Sequence, residues 1–242
     1  MFRFMRQHGY SDYDALHTWS IEQPGAFWEA ICEYFAVRFD APARDTLARP
    51  DDIMDAGWFE GSRLNFAAHL LRYEGDAAAI VFCGEDGSRR ELSRDDLRRA
   101  VAGIADGLRA SGVVKGDRIA AFVPNCPEAI IAMLATASIG AIWSSCSPDF
   151  GVNGVVDRFG QIEPKVLFAT NGYHYNGKRI DSLPVVRSIA AVIPGIETVV
   201  VVPFLADNTA ASGEFVAWDD FATTADDLAF ESVDFNHPLY IM

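Results

Sequence analysis

From Arg118 onward, short and wholly apolar runs alternate with longer segments of helical period. Arg118 to Val123, Ala141 to Ser145, Val166 to Thr170 and Thr198 to Val202 read as strands. Between them, Pro127 to Gly140 carries Ile130, Met133, Leu134 and Ala137 on one helical face. Val152 to Ile162 turns Val155, Val156, Phe159 and Ile162 inward, and Leu183 to Ile193 reads as a third helix. A strand with no polar alternation is buried on both faces, and parallel strands need helical crossovers to join them. The pattern therefore predicts an α/β fold: a mostly parallel, doubly wound sheet with helices on both faces.

A helical segment and a β-hairpin precede this sheet. Pro24 suits the first turn of a helix, where its missing N–H costs nothing. Phe27, Ile31 and Phe35 recur at fours behind it, with Trp28 and Cys32 adjoining. Ala41 to Asp55, with two prolines and an acidic pair, reads as a loop or linker. Asn65 is placed to cap a helix over Phe66 to Arg72. Ala78 to Cys83 and Arg89 to Leu92 form a hairpin around Gly84-Glu85-Asp86-Gly87. Ser93 and Asp96 make a capping box for the helix that Gly112 ends. Ala206 to Gly213 is a polar loop, and Phe215 to Phe221 a short strand and turn. Residues 1–57 are expected to form a helical N-terminal region, and 58–242 the first part of a larger α/β domain. Leu239 to Met242 reads as a strand interrupted in mid-element, which marks the chain as a fragment.

Composition narrows the functions. The net charge of −14 argues against nucleic acid or an anionic membrane as partner. No apolar run is long enough to span a bilayer, and the start lacks a secretory pattern, so a cytoplasmic home is the default. Cys32, Cys83, Cys126 and Cys146 show no paired spacing and read as buried free thiols. His8, His17, His69, His174 and His237 are scattered, which gives no metal-ligand pattern. Neither G-x-G-x-x-G nor G-x-x-x-x-G-K-[ST] occurs, so a dinucleotide dehydrogenase and a P-loop NTPase are disfavoured.

The turn Ser144 to Gly151 is longer and more polar than a strand-to-helix connection requires. Such turns are where α/β proteins place ligands. Ser144, Ser145 and Ser147 lack the G-x-S-x-G frame of a nucleophile. Cys146 is a nucleophile or a packed small residue. Asp149 caps the next helix or orients a ligand. Arg158 and Lys165 flank that helix. Asn176-Gly177-Lys178-Arg179 reads as a basic loop after the following strand, suited to an anion such as phosphate or to solvent alone.

Ser138 to Lys165 strongly resembles the acetoacetyl-CoA synthetases of the adenylate-forming superfamily. The resemblance covers nearly the whole chain. It includes Tyr13-Asp14-Ala15-Leu16-His17, Trp58-Phe59-Glu60-Gly61, Gly116-Asp117-Arg118, Tyr175-Asn176-Gly177-Lys178 and His237 to Met242. Acetyl-CoA and propionyl-CoA synthetases are similar in the sheet pattern. They carry a Gly-Gly-Phe-Ser type of turn where this chain has Ser147-Pro148-Asp149-Phe150-Gly151.

The resemblance implies a two-step ligase that uses ATP, Mg²⁺ and coenzyme A and takes acetoacetate. A related short-chain acid, or a stand-alone module binding CoA or a nucleotide, is the alternative. The family's phosphate loop would begin just past Met242, and the adenine motifs and catalytic lysine lie further on. Phe2 to Arg6 matches an internal stretch of the family. The resemblance therefore assigns no catalytic residue here, and implies a fragment inactive alone. Counting along from Arg158, it places Ser147, Pro148 and Asp149 near the adenine end of CoA and Lys178 near its phosphates, with Arg158 and Arg179 also among the cofactor-binding residues.

Overall fold

A computed structural model describes residues 1–51, 54–205, 213–225 and 227–242. The chain divides into two compact units: Met1–Leu64 with 232–237, and Asn65–Glu231 with 238–242.

The smaller unit begins with α1 (Phe2–Gln7), α2 (Tyr13–Glu22) and α3 (Pro24–Tyr34). Asp12 caps α2 by accepting from the Ala15 N–H at 2.9 Å, and Pro24 opens α3 as expected. The three helices enclose Phe4, Met5, Leu16 and Ala30, with Trp19, Phe27, Ile31 and Tyr34 packed around them. Phe35, at the C-cap of α3, is exposed rather than inward. The expected linker 41–55 instead contains a strand. β1 (Asp45–Ala48) pairs antiparallel with β2 (Gly57–Glu60), Leu47 facing Trp58. β3 (Arg63–Leu64) pairs with Val233–Asp234.

The larger unit opens with α4 (Phe66–Leu70), capped by the Asn65 side chain. The hairpin follows, β4 (Ala78–Cys83) against β5 (Arg89–Ser93). The Ser93–Asp96 capping box then starts α5 (Arg94–Ala110) in both of its hydrogen bonds. The predicted alternation comes next: β6 (Arg118–Phe122), α6 (Pro127–Ser138), β7 (Ile142–Cys146), α7 (Val152–Ile162) and β8 (Val166–Thr170). After β8, the stretch expected to be a loop is a second hairpin, β9 (Gly172–Tyr175) and β10 (Lys178–Asp181). Then come α8 (Leu183–Val192), β11 (Thr198–Val202), β12 (Val216–Ala217) and α9 (Trp218–Phe221). Residues 206–212 of the expected polar loop lie outside the described residues.

Five strands form one parallel sheet in the order β12-β11-β8-β6-β7. Alternate residues feed two cores. Ile119 and Ala121 of β6, with Trp143 and Phe168, pack under α4, α5 and α6. Ala120 and Phe122, with Leu167 and Ala169, pack under α7 and α8. The sheet is thus covered on both faces, as the unbroken apolar strands require. Tyr240 continues it beyond β7: Ile241 N–H donates to the Trp143 carbonyl at 2.9 Å and Trp143 N–H to that of Leu239 at 3.1 Å. Two of the four thiols depart from the expected burial. Cys126 and Cys146 are buried, Cys32 is half-buried, and Cys83 on the hairpin β4–β5 is exposed. A two-stranded hairpin outside the main sheet leaves one face in water.

Asn65 is a buried polar hub of this unit. Its Oδ1 accepts from Ala68 N–H, while Nδ2 donates to the carbonyls of Ala137 (2.9 Å), Ser138 (3.2 Å) and Glu231 (2.9 Å). It starts one helix and closes the carbonyl end of another. Asn65→Ala is expected to destabilise the larger unit by about 2–4 kcal/mol, because buried carbonyls lose their donor. Asn65→Asp keeps the cap but not the donor and should recover little. Urea unfolding of the three proteins measures both.

Candidate functional site

The carboxyl ends of β7 and β8 point the same way, so the segments that follow them emerge at one edge of the sheet. After β7, Ser147 Oγ donates to Asp149 Oδ2 at 3.1 Å, and Phe150 N–H to the Ser147 carbonyl at 3.1 Å. This closes a tight turn with Pro148 buried and Asp149 exposed. Gly151 is the N-cap of α7 and no side chain caps the helix. Asp149 is therefore bonded within the turn, and the capping role considered for it is not what the structure shows.

Arg158 lies within α7 rather than beside it. Its Nη1 donates to the Gly154 carbonyl at 2.7 Å, one turn back, and its guanidinium covers the Phe150 ring at 4.5 Å. Lys165 is at the other edge of the sheet. It precedes β8, and its ammonium donates to the Gly112 carbonyl at 2.7 Å and lies 3.6 Å from Asp117. Parallel strands place the residue before a strand far from the turn after it, so Lys165 leaves the candidate site.

Lys178 and Arg179 are strand residues, not loop residues. Asn176 and Gly177 form the two-residue tip of the β9–β10 hairpin, with φ of 50° and 72°. Positive φ at both central positions defines the turn that Asn-Gly favours. In this register Lys178 faces Tyr175 and Arg179 faces His174. Lys178 is exposed, so its ammonium is available to a ligand.

One side chain joins this hairpin to the turn after β7. Buried Tyr173, on β9, donates its hydroxyl to the Pro148 carbonyl at 3.2 Å. Burial, and then the neighbouring Asp149 carboxylate, push the Tyr173 hydroxyl pKa up, so it remains a donor at neutral pH. The structure thus links Ser147, Pro148 and Asp149 to the strand pair that carries Lys178 and Arg179, and places Arg158 over the turn's Phe150. Cys146 is held above the ordinary thiol range by burial, with Arg158 pulling the other way. That environment fits a packed small residue, not a thiolate nucleophile.

Sequence reasoning did not single out Tyr173 or Phe150. Tyr173 follows an apolar strand directly, and its contact lies 25 residues away in sequence. The Asn176-Gly177 pair was the available signal for the hairpin. A separate cleft of about 460 Å³ lies among Phe82, Arg90, Glu128, Phe204 and Trp218. There Arg90 grips Glu128 through two hydrogen bonds of 2.6 and 3.0 Å. Among the described residues, no group of three or more His, Cys, Asp or Glu is placed to hold a metal ion, and no helix is long and apolar enough to cross a membrane.

Comparison with known proteins gives a consistent picture. Residues 66–242 match the model of the AMP-binding enzyme family, and residues 13–70 that of the acetyl-coenzyme A synthetase N-terminus. The chain is 47% identical over 238 residues to acetoacetyl-coenzyme A synthetase of Rhizobium meliloti (strain 1021), covering 96% of this chain and 36% of the relative. It is 38% identical to acetoacetyl-CoA synthetase of Macaca fascicularis over 243 residues, with the same coverage of 96% and 36%. The solved structure of acetoacetyl-CoA synthetase from Streptomyces lividans superposes with a TM-score of 0.90 at 37% identity, covering 98% of this chain and 38% of that one. The chain therefore spans little more than a third of the length of these relatives. With its own parallel sheet and crossover helices matching throughout, the chain belongs to the AMP-binding enzyme family.

Proposed function

We propose that the protein takes part in ATP-dependent ligation of acetoacetate to coenzyme A, and that this chain supplies part of the CoA-side wall. A carboxylate is a poor acyl donor because its oxygen is a poor leaving group. In the first step the acetoacetate oxygen attacks the α-phosphorus of ATP and pyrophosphate leaves. In the second, the CoA thiolate attacks the acyl carbon and AMP leaves. Stabilising the phosphate charge carries much of the first step. No residue of this chain is given a role at either reacting centre. Mg²⁺ would accompany the ATP phosphates; the described residues offer it no cluster of ligands, and no step is assigned to it. The other partners are small molecules, and the cytoplasm is the proposed setting.

The observation that carries the CoA-side reading is the Tyr173 hydrogen bond to Pro148. It ties the turn that distinguishes this sequence from the acetyl-CoA type to the hairpin bearing Lys178 and Arg179. On this reading Lys178 and Arg179 meet CoA phosphates as charge-assisted donors. Ser147, Pro148 and Asp149, with Arg158 stacked on Phe150, form the surface next to the adenine. The N-terminal match to the acetyl-coenzyme A synthetase model supports acetate as a competing acid, beside propionate.

Calorimetric titration of this chain with CoA tests the wall. Wild type is expected to bind, and Lys178→Ala to bind about five- to tenfold more weakly. Equal affinity removes Lys178 from the site, and no heat from either protein removes CoA binding by the isolated chain. In the full-length gene product, kcat/KM is expected to favour acetoacetate over acetate and propionate by at least about tenfold. Equal or faster turnover of acetate would transfer the assignment to the acetyl-CoA type.

A further inference from the structure

A two-stranded hairpin of four residues per strand is marginally stable by itself. The β9–β10 hairpin forms its own two-stranded sheet, so its geometry depends on what anchors it. Its base is fixed by the Tyr173 hydroxyl on Pro148 and by Ser182 N–H donating to the Asn171 carbonyl at 3.2 Å. Gly172 sits so close to the Ile180 carbonyl and the Leu205 side chain that a Cβ there would collide with both. None of these contacts reaches the tip, beside which Lys178 and Arg179 begin β10.

The tip is met by a segment more than eighty residues earlier. The turn of the β4–β5 hairpin closes with Gly84 N–H donating to the Ser88 carbonyl at 2.8 Å and Gly87 N–H to that of Gly84 at 3.0 Å. Asp86 Oδ1 accepts from both the N–H (3.0 Å) and the hydroxyl (2.6 Å) of Ser88. That closed turn presents two carboxylates to β9–β10. Glu85 Oε1 accepts from the Gly177 N–H at 3.2 Å, and Asp86 Oδ2 lies 3.9 Å from His174 Nδ1. The His174 and Phe82 rings both lie against Phe204, at 6.5 and 6.1 Å, giving the two hairpins a shared aromatic seat.

We infer that Glu85 is a positioning residue for the basic hairpin: its hydrogen bond to the Gly177 N–H fixes the tip from which Lys178 projects. Asp86 seconds it from beside His174. Glu85 acts through the turn that sets the direction of the Lys178 strand. The consequence for CoA rests on the function proposed above. The tether itself does not.

Amide hydrogen exchange and CoA titration on the same chain test the two parts separately. Glu85→Ala removes the acceptor; Glu85→Gln keeps a carbonyl able to accept the bond. In Glu85→Ala the Gly177 amide is expected to exchange about three- to tenfold faster, while Glu85→Gln stays within about twofold of wild type. CoA affinity should follow the same order, falling in Glu85→Ala and holding in Glu85→Gln. Unchanged exchange in Glu85→Ala overturns the tether. Faster exchange with undiminished CoA affinity, where Lys178→Ala does weaken binding, overturns the positioning role. Tighter CoA binding in both Glu85 variants also overturns it, since Glu85 would then be an internal anion that the phosphate displaces. If wild type binds no CoA, the proposed CoA site fails, and the exchange result still decides the tether.

Discussion

Parallel pairing of β6 with β7 on one side and β8 on the other is the constraint on which the site depends. Because the strands run the same way, the segments after β7 and β8 leave the sheet at one edge. Because β6 is central, both of its faces are buried, Ile119 and Ala121 to one core and Ala120 and Phe122 to the other. That burial drives α6 to one face and α7 and α8 to the opposite one. A turn and a hairpin distant in sequence are then brought within reach of one tyrosine hydroxyl. Changing the register by one residue would exchange the two cores and separate that contact.

On the proposed function, the chemistry at this edge is recognition of charge and shape. The Tyr173 hydroxyl is held protonated by burial beside Asp149, so it works as a fixed donor. Cys146 and Cys126 are held as neutral thiols by burial, Cys126 up to about 12. Neither thiol is activated as a nucleophile, which fits the binding role proposed for the turn's polar residues. On a chain of net charge −14, a phosphate needs cations presented locally, and on the proposed function the strand after the hairpin turn presents them. The turn of the β4–β5 hairpin supplies the anchoring carboxylates, Glu85 and Asp86.

Much of this was legible in the sequence. Unbroken apolar strands gave the parallel sheet, Pro24 and Pro127 marked helix starts, and Ser93 with Asp96 marked the start of α5. The residues proposed for the CoA side are nameable from the sequence, but their settings are not. β1 was hidden because four residues between prolines, paired only with β2, show no apolar alternation. The β9–β10 hairpin resembles a loop in sequence because its two cations outweigh the Asn-Gly turn signal. Contacts such as Glu85 with Gly177 span 92 residues, and no local pattern encodes them. Sequence periodicity reports what a segment buries, and these exposed hairpins bury little.

The central claim is that CoA lies between the turn after β7 and the tip of the β9–β10 hairpin. Mapping backbone amide chemical shifts while the chain is titrated with CoA tests it most directly. The account predicts that the largest changes fall in residues 147–158 and 173–181. Changes centred instead on Phe82, Glu128 and Trp218, the residues of the separate cleft, would contradict it.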